Sequence, residues 1–338
     1  MIGKTTTLLM LCGIAISFSS YRPSAKLKPQ KPTIRTIPDP LEEDRPSGQT
    51  LLDRRICSKF SSGQIRTIVI DPGHGGFDPG CHGLIAKEKN VALAISLKLG
   101  KALRQAYPDI RIVYTRTTDI MPGNKPTVKE GIWYRAELAN REKGDLFICI
   151  HCNSTVQPAG SYPVKHLVRY KIVGRGNKKR SIPVYATTWV KNMVHGTTTY
   201  IWRADRNVKK GNAIDELRSG ENMGDSTGDA YDMSSPEAMM RAQLYEKKYF
   251  ANSALFGTLV EKEFVKAGRR SSGVEQRDIG IGVLEATGMP SVLIETGYLT
   301  NREEERYLAS SKGQTEVARN IVSAFRAYSK KLQTGNTD

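Results

Sequence analysis

The sequence predicts an α/β fold, in which a mostly parallel, twisted sheet carries helices on both faces. Three apolar runs rich in β-branched residues are typical of strands buried on both faces: residues 68–70, which follow Ile65, and residues 146–150 and 291–294. Helical patterns separate these runs, so strands and helices alternate along the chain as they do in parallel sheets. We also predict two insertions, a basic β-hairpin and an acidic segment.

The first strand ends abruptly in the segment DPGHGG, residues 71–76. Pro72 ends the ladder of backbone hydrogen bonds, and the glycines permit backbone angles that other residues resist. A turn at the carboxyl end of a buried strand is where open α/β sheets place their binding sites. His74 lies in the middle of this turn, although the turn alone is equally compatible with a histidine that only caps the strand.

The other two strands also end in a residue that can bind metal or carry a proton. His151 follows the second strand and Glu295 follows the third. Glu88 begins a helical pattern over residues 88–103. Because the carboxyl ends of parallel strands meet at one edge of a sheet, we expect these side chains to lie close to His74. Two histidines, one glutamate and a spare carboxylate are the composition of a catalytic zinc site with its general base.

Four segments carry a resemblance to a known family: DPGHGG, KEKNVAL, IHCNS and VLIETGYLTNREEE. Their order, spacing and flanking residues resemble the zinc-dependent N-acetylmuramoyl-L-alanine amidases of the type 3 amidase family, over residues 65–332 with a long interruption. The resemblance implies one zinc ion per chain, held by His74, Glu88 and His151, with Glu295 as the catalytic residue. It also implies the bond that is cleaved, which joins the lactyl group of N-acetylmuramic acid to the first L-alanine of the peptidoglycan stem peptide. The biological role would be cell-wall remodelling or daughter-cell separation.

Three further polar residues lie near these segments. Asn153 is either a hydrogen-bond donor to the substrate or a residue that stabilises its own turn. Arg116 and Arg135 match arginines that are characteristic of the family. We predict that both are ion-pair partners that position the edge of the sheet and take no part in the chemistry.

Cysteines near the two histidines raise a rival interpretation. Cys149 and Cys152 flank His151, and Cys81 follows the first motif, which would suit a thiolate zinc site or a cysteine nucleophile. Adjacent residues of a strand point to opposite faces, so His151 and Cys152 could not share a site on a fully extended strand. A thiolate site would also leave the two glutamates without a role. A disulfide among these cysteines and Cys57 is compatible with the sequence, which does not fix the pairing.

The amino-terminal residues predict that the chain is exported to the periplasm or cell envelope. Residues 1–20 have the order of a secretory signal peptide, and residues 21–60 are predicted to be a proline-rich disordered linker. The catalytic domain would cover residues 61–335, with an insertion over about 156–235. After the signal, no apolar stretch approaches the ~20 residues that span a bilayer, so we predict no transmembrane segment.

The chain of 338 residues carries a formal net charge of +17, which favours an anionic partner or surface. Residues 165–210 hold twelve Lys or Arg and one acid, a net charge of +11. This region contains the predicted hairpin, with strands over 164–173 and 182–190. The hairpin is either a solvated insertion or a foot on an anionic surface such as peptidoglycan or a membrane, and its neighbourhood includes two predicted surface histidines, His166 and His195. Export and the lack of nucleic-acid motifs argue against a nucleic acid as the partner.

Acidic and glycine-rich residues fill 207–236, before a long amphipathic helix predicted over 236–267. In the resembled family, some relatives carry an insertion in this part of the chain that covers the zinc until an activator protein displaces it. By that resemblance Glu216 or Glu221 would occupy the open position of the zinc, and a mobile surface loop is the alternative. Residues 271–278 are predicted to be a loop.

Two other functions are compatible with the same fold. A non-catalytic wall-binding module would be expected to lack a metal ligand or the catalytic glutamate, whereas all four residues are present. A zinc hydrolase that cleaves a different wall amide, such as a carboxypeptidase, would keep all four. The residues therefore favour an enzyme, and the products distinguish one hydrolase from the other.

Overall fold

The computed structural model describes residues 65–203, 236–277 and 281–335. Its strands are β1 (Thr67–Pro72), β2 (Arg111–Tyr114), β3 (Leu146–Asn153), β4 (Ser161–Val173), β5 (Arg180–Lys191), β6 (Thr197–Trp202), β7 (Ser271–Arg277) and β8 (Ser291–Tyr298). Its α-helices are α1 (Glu88–Ala106), α2 (Val128–Arg141), α3 (Pro236–Lys266), α4 (Gly282–Glu285), α5 (Arg302–Ala309) and α6 (Ser311–Thr334). One sheet has the strand order β2-β1-β3-β8-β6-β7, and β4 pairs with β5 in a separate ribbon.

The central sheet confirms the predicted α/β fold. Strands β2, β1, β3 and β8 are parallel neighbours. Ile68 and Ile70 belong to the core formed with helices α1, α3 and α6, whereas Val69 and Phe147 belong to the core formed with α2 and α4. Successive side chains of a strand point to opposite faces, so helices on both faces require the continuous apolar runs seen in the sequence.

Pairing aligns the carboxyl ends of three strands. Pro72 on β1 lies opposite Ile150 on β3, and His151 lies opposite Glu295 on β8. The backbone N of Gly73 donates to the carbonyl O of Ile150 at 2.9 Å, which extends the pairing into the turn after β1. We call these aligned ends of β1, β3 and β8 the carboxyl rim.

The far side of the sheet departs from the prediction. Strand β6 pairs antiparallel with β8 and parallel with β7. The predicted loop over 271–278 is wrong, because residues 271–277 form β7. This segment is polar and only partly buried at the edge of the sheet, with a single neighbouring strand. It therefore lacks the apolar run by which a buried strand is recognised.

Two polar side chains cap the helices that flank the sheet. Thr127 caps α2 by accepting a hydrogen bond from the backbone N of Glu130 at 3.2 Å. Asn301 caps α5 by accepting hydrogen bonds from the backbone N of Glu303 at 2.9 Å and of Glu304 at 3.2 Å. Both caps satisfy amide groups that have no partner within the helix.

The predicted hairpin is confirmed as β4 and β5, and both strands extend beyond the predicted 164–173 and 182–190. The hairpin follows β3 and precedes β6. Because β6 begins beside the carboxyl rim, with Thr198 opposite Glu295, both ends of the hairpin connect to the rim. The chain leaves β6 elsewhere, since this antiparallel strand carries Trp202 toward the opposite edge of the sheet.

Several predicted features lie outside the described residues. They are the signal peptide (1–20), the linker (21–60), Cys57, and the acidic stretch with Glu216 and Glu221. None of the described helices combines the length and the apolar character needed to cross a bilayer.

Candidate metal centre

His74 adopts a backbone conformation that few residues share. Its φ is 58°, in the left-handed region, and the following Gly75 has a φ of 131°. Two arginines bind the carbonyl groups of this turn. Arg135 donates to the carbonyl O of His74 at 2.6 Å, and Arg116 donates to the carbonyl O of Gly73 at 2.7 Å. Buried guanidinium groups therefore hold the turn in its unusual conformation.

The two arginines differ in how they are paired. Arg135 forms a buried ion pair with Asp71 and donates to the carbonyl O of Pro72 at 2.8 Å, which agrees with its predicted role. Arg116 donates to carbonyl groups, including that of Pro72 at 3.1 Å, and forms no ion pair with the described residues. The predicted ion pair of Arg116 is therefore wrong, because the carbonyl oxygens of the tight turn need donors. Burial and the charge of Arg135 lower the pKa of Arg116 to about 10, so the side chain remains charged at neutral pH.

His74, Glu88 and His151 lie together, as the sequence predicts. Their ligating atoms are all within 4.8 Å of one another. Oε2 of Glu88 is 3.1 Å from Nε2 of His74, and Oε1 of Glu88 is 2.8 Å from Nδ1 of His151. Two imidazole nitrogens and one carboxylate oxygen are donors that suit zinc, so these three residues could hold a zinc ion.

Glu88 is buried at the first position of α1 and is fixed by the backbone around it. The backbone N of Cys81 donates to Oε2 at 2.8 Å, and that of Cys152 donates to Oε1 at 3.0 Å. Burial raises the pKa of Glu88, but the hydrogen bonds and charges of His151 and His74 outweigh it and hold the pKa well below its usual value. Glu88 is therefore a carboxylate at neutral pH, the form that binds a metal.

Asp78 also belongs to this site, although it is not among the predicted site residues. Its Oδ2 lies 2.8 Å from Nδ1 of His74, while Nε2 of the same ring faces Glu88. A carboxylate on the outer nitrogen of a metal-binding histidine fixes the orientation of the ring. Burial lowers the pKa of His74, but Glu88 and Asp78 have a larger opposite effect, and together they raise the pKa to about 8. The sequence does contain a signal for this role, which is an acidic residue four positions after His74 in the same glycine-rich turn.

Glu295, on β8, lies beside the candidate metal-binding group formed by His74, Glu88 and His151. Its neighbours across the sheet are His151 on β3 and Thr198 on β6. The residue is partly exposed, but its Oε2 atom is buried and has no hydrogen-bond partner among the described residues. Burial is the main cause that raises the pKa of Glu295 to about 7, with His151 opposing and Glu88 adding to the shift. A carboxyl group of this pKa can both accept and release a proton near neutral pH.

Two glycines allow the candidate metal ligands to lie close to the turn. A Cβ atom at Gly73 would lie 2.5 Å from two ring atoms of His151. A Cβ atom at Gly80 would lie 2.5 Å from Oε2 of Glu88 and 2.6 Å from the His74 ring. Such contacts are too short for real atoms, so any larger residue at either position would displace a ligand.

The cysteines near the site are free thiols with local hydrogen-bond partners. Sγ of Cys149 donates to Oδ2 of Asp71 at 3.0 Å, and Sγ of Cys81 donates to the carbonyl oxygens of Cys152 and Asn153. Burial raises the pKa of Cys149 and Cys152, so both remain protonated at neutral pH. The metal-binding group among the described residues contains no cysteine, which argues against the thiolate interpretation.

Asn153 ends β3 two residues after His151. Its Oδ1 accepts a hydrogen bond from the backbone N of Ser154 at 2.9 Å, which is the turn-stabilising role among its two predicted alternatives. His166 and His195 are exposed, as predicted, and belong to the hairpin region. Neither is part of the metal-binding group.

Comparison with known proteins identifies a family for this chain. The family model described as N-acetylmuramoyl-L-alanine amidase matches residues 68–327. The chain is 28% identical over 274 residues to the N-acetylmuramoyl-L-alanine amidase AmiC of Escherichia coli strain CFT073, covering 79% of this chain and 54% of AmiC. It is 27% identical over 281 residues to AmiA of Escherichia coli strain K12, covering 80% of this chain and 82% of AmiA. The chain thus spans about half the length of AmiC and most of AmiA. With most of its length matched by the family model, this chain belongs to the family of N-acetylmuramoyl-L-alanine amidases.

Proposed function

We propose that this chain is a zinc-dependent hydrolase that cleaves the amide bond between the lactyl group of N-acetylmuramic acid and L-alanine of the peptidoglycan stem peptide. One observation carries the proposal. The donors of His74, Glu88 and His151 converge at the carboxyl rim, beside an acid, Glu295, that has a shielded oxygen atom. The family supplies the class of bond, and the geometry supplies the residues that would cleave it.

The donor set fits zinc better than calcium or magnesium. Zinc binds histidine nitrogens and carboxylate oxygens, whereas calcium and magnesium favour oxygen ligands alone. Three protein ligands also leave a position open, as catalytic zinc sites require. A zinc ion bound here would polarise the scissile carbonyl group and make a water molecule more acidic.

Glu295 carries the proton in this proposal. Its carboxylate takes a proton from the attacking water and passes it to the departing amine, because an amide anion is a poor leaving group. A pKa near 7 suits both steps, since the group must bind the proton and then release it. Asn153 has an amide group near the same end of β3, and we propose that its NH₂ group donates to the substrate.

The remaining polar residues of the site hold its geometry. Asp78 orients the His74 ring, and Arg135 and Arg116 bind the carbonyl groups of the turn that carries this ring. A metal-binding group held by buried partners needs little rearrangement when the substrate arrives.

Product analysis on intact muropeptides tests the proposed bond. We expect a free lactyl group on the glycan and a released stem peptide that begins with L-alanine. Loss of a terminal D-alanine would instead assign the chain to the carboxypeptidases. Binding of muropeptides without either product would favour the wall-binding module.

We further propose that the enzyme works in the periplasm or cell envelope, where peptidoglycan lies. The support is the signal-like sequence of residues 1–20. Mass spectrometry of the protein purified from its envelope fraction would show a chain shortened by this segment. A full-length chain recovered from the soluble interior of the cell would contradict the proposal.

Control by the acidic stretch remains a further proposal, in which Glu216 or Glu221 blocks the zinc until an activator protein removes the block. The chain leaves β6 at the edge of the sheet opposite the carboxyl rim. To block the zinc, the acidic stretch would therefore have to return to the rim. Replacing residues 207–232 by a short Gly-Ser linker should raise activity on isolated peptidoglycan sacculi without any partner. Equal or lower activity in a folded, zinc-replete variant would contradict autoinhibition.

A further inference from the structure

One face of the β4–β5 hairpin carries a row of exposed aromatic rings. In an antiparallel pair, residues directly opposite each other share a face. Trp189 lies opposite Pro163, and Tyr185 lies opposite Leu167. Tyr170 lies opposite Pro183, which is two residues from Tyr185 and therefore on the same face.

A β-bulge brings Tyr170 onto this face. The register shifts between Leu167 and Arg169, so Val168 is an extra residue in β4. Without the extra residue, Leu167 and Tyr170 would point to opposite faces, because side chains alternate along a strand. The bulge therefore completes the row of three rings.

The row is exposed and linear. Trp189 is 68% exposed, Tyr170 63% and Tyr185 57%. At about 3.4 Å per residue, Tyr185 lies ~14 Å along the ribbon from Trp189, and Tyr170 lies ~7 Å further on. Rings spaced along a narrow ribbon suit a linear polymer, since the flat faces of sugar rings stack on aromatic side chains.

The charge of the hairpin selects an anionic partner. Residues 161–191 contain no acid and eight basic residues: Lys165, Arg169, Lys171, Arg175, Lys178, Lys179, Arg180 and Lys191. Two copies of this surface would repel each other, which argues against a second copy of the chain as the occupant. Stem peptides of peptidoglycan carry free carboxylates, so a glycan strand with attached peptides complements both the rings and the charges.

The root of the hairpin is fixed to the carboxyl rim. Nδ2 of the buried Asn192 donates to Oγ1 of Thr155 at 2.7 Å and to the carbonyl O of Pro158 at 3.1 Å. The backbone N of Thr155 donates to Oγ1 of Thr300 at 3.2 Å, just beyond the end of β8. The segment that follows β3, the strand that carries His151, therefore anchors the base of the hairpin.

We propose that the β4–β5 hairpin is a docking arm for the glycan strand of peptidoglycan, with Tyr170, Tyr185 and Trp189 stacking on its sugars and the basic residues binding stem-peptide carboxylates. This inference rests on the proposed function, because it names the polymer that carries the scissile bond. The rim position favours the wall polymer over a membrane, since this polymer must reach the same edge to be cleaved.

Sedimentation with isolated sacculi tests the aromatic row. The Glu295→Gln background prevents digestion, and the triple variant Tyr170→Ala, Tyr185→Ala, Trp189→Ala is compared with Trp133→Ala, which removes an exposed ring on α2. We expect about tenfold weaker binding for the triple variant, from the loss of three aromatic contacts, and unchanged binding for the control. Sedimentation of the triple variant equal to that of the control would overturn the proposal.

The charges are tested by the triple reversal Lys178→Glu, Lys179→Glu, Arg180→Glu, in the same background and across a salt series. The matched control reverses three exposed lysines of the body, Lys101, Lys129 and Lys262, and changes the net charge equally. The hairpin variant should lose both affinity and salt dependence, because screened surface charges contribute to the binding. Equal losses of affinity in both variants would show that only the net charge of the protein matters, and would overturn the proposal that the hairpin binds the polymer.

Two further measurements distinguish the causes of failure. If the protein with an unaltered hairpin bound phosphatidylglycerol vesicles but not sacculi, the partner of the hairpin would be a membrane and the proposal would be overturned. Titration of the Glu295→Gln protein with soluble glycan strands should change the tryptophan fluorescence, and Trp189→Phe, which leaves Trp133 and Trp202 in place, should abolish this change. Fluorescence that does not respond to the strands would overturn the proposal. Failure of the proposed function would appear separately, as an unaltered enzyme that leaves soluble muropeptides intact while its binding to sacculi persists.

Discussion

The carboxyl rim and the β4–β5 hairpin are joined through the end of β3, yet they are stabilised in opposite ways. At the rim, buried groups bind one another, and a Cβ atom at Gly73 would meet the His151 ring at 2.5 Å. In the hairpin, most side chains are exposed, and a Cβ atom at Gly176 would meet nothing within 4 Å. A single added carbon atom at the rim would therefore displace a side chain of the site. The hairpin can change its surface without changing the geometry of the site.

Removing the proposed proton carrier, Glu295, should have the largest effect on turnover. Glu295→Gln keeps the size of the side chain but not its basicity, so turnover of a soluble muropeptide should fall by ~10²–10⁴. Zinc content should stay at the wild-type level, because Glu295 is not a proposed ligand. Glu303→Gln on the exposed first turn of α5 is the control. Turnover within a few-fold of wild type would show that Glu295 is not the base.

A pair of glycine substitutions tests the comparison itself. Gly73→Ala should displace the His151 ring and lower both zinc content and activity. Gly176→Ala places the same methyl group in open space, at a φ of 54° that costs about 1–2 kcal/mol, and should leave zinc content unchanged. Elemental analysis of both purified variants checks the prediction. Equal zinc content in the two variants would show that the close approach of His151 to Gly73 does not matter for metal binding.

The sequence predicts the rim well because its signals are local. Apolar runs locate the buried strands, and the residues that follow them, His74 and His151 among them, must meet where parallel strands end. Strand β7 was missed because a polar edge strand has no such run. Asp78 was missed because its role depends on which nitrogen of His74 faces Glu88, and this is fixed only by three-dimensional packing.

Stability should distinguish the two regions as well. Arg135→Met removes one partner of the buried pair with Asp71, which should lower the free energy of unfolding by about 3–5 kcal/mol. Arg169→Met removes an exposed charge from the hairpin and should change the free energy of unfolding by less than about 1 kcal/mol. Denaturant unfolding of both variants measures the difference. Equal losses of unfolding free energy in the two variants would mean that the ion pair of Arg135 with Asp71 does not stabilise the rim.

The pH dependence of zinc binding should report the charge of His74. In the metal-free protein the pKa of His74 is about 8, so a proton must leave this ring before it can bind zinc at pH 7. Apparent zinc affinity should therefore rise about tenfold per pH unit and level off above pH 8. Asp78→Asn removes a charge that raises this pKa and should move the break to lower pH. An identical break in both proteins would exclude Asp78 from this role.

The metal content of three single variants shows whether His74, Glu88 and His151 hold a zinc ion. His74→Ala, Glu88→Ala and His151→Ala are each purified with zinc present, together with His166→Ala, which removes an exposed histidine of the hairpin. We expect the three rim variants to lose bound zinc and activity in parallel, while His166→Ala keeps both. Full zinc occupancy in all three rim variants would contradict the ligand assignment and the mechanism built on it.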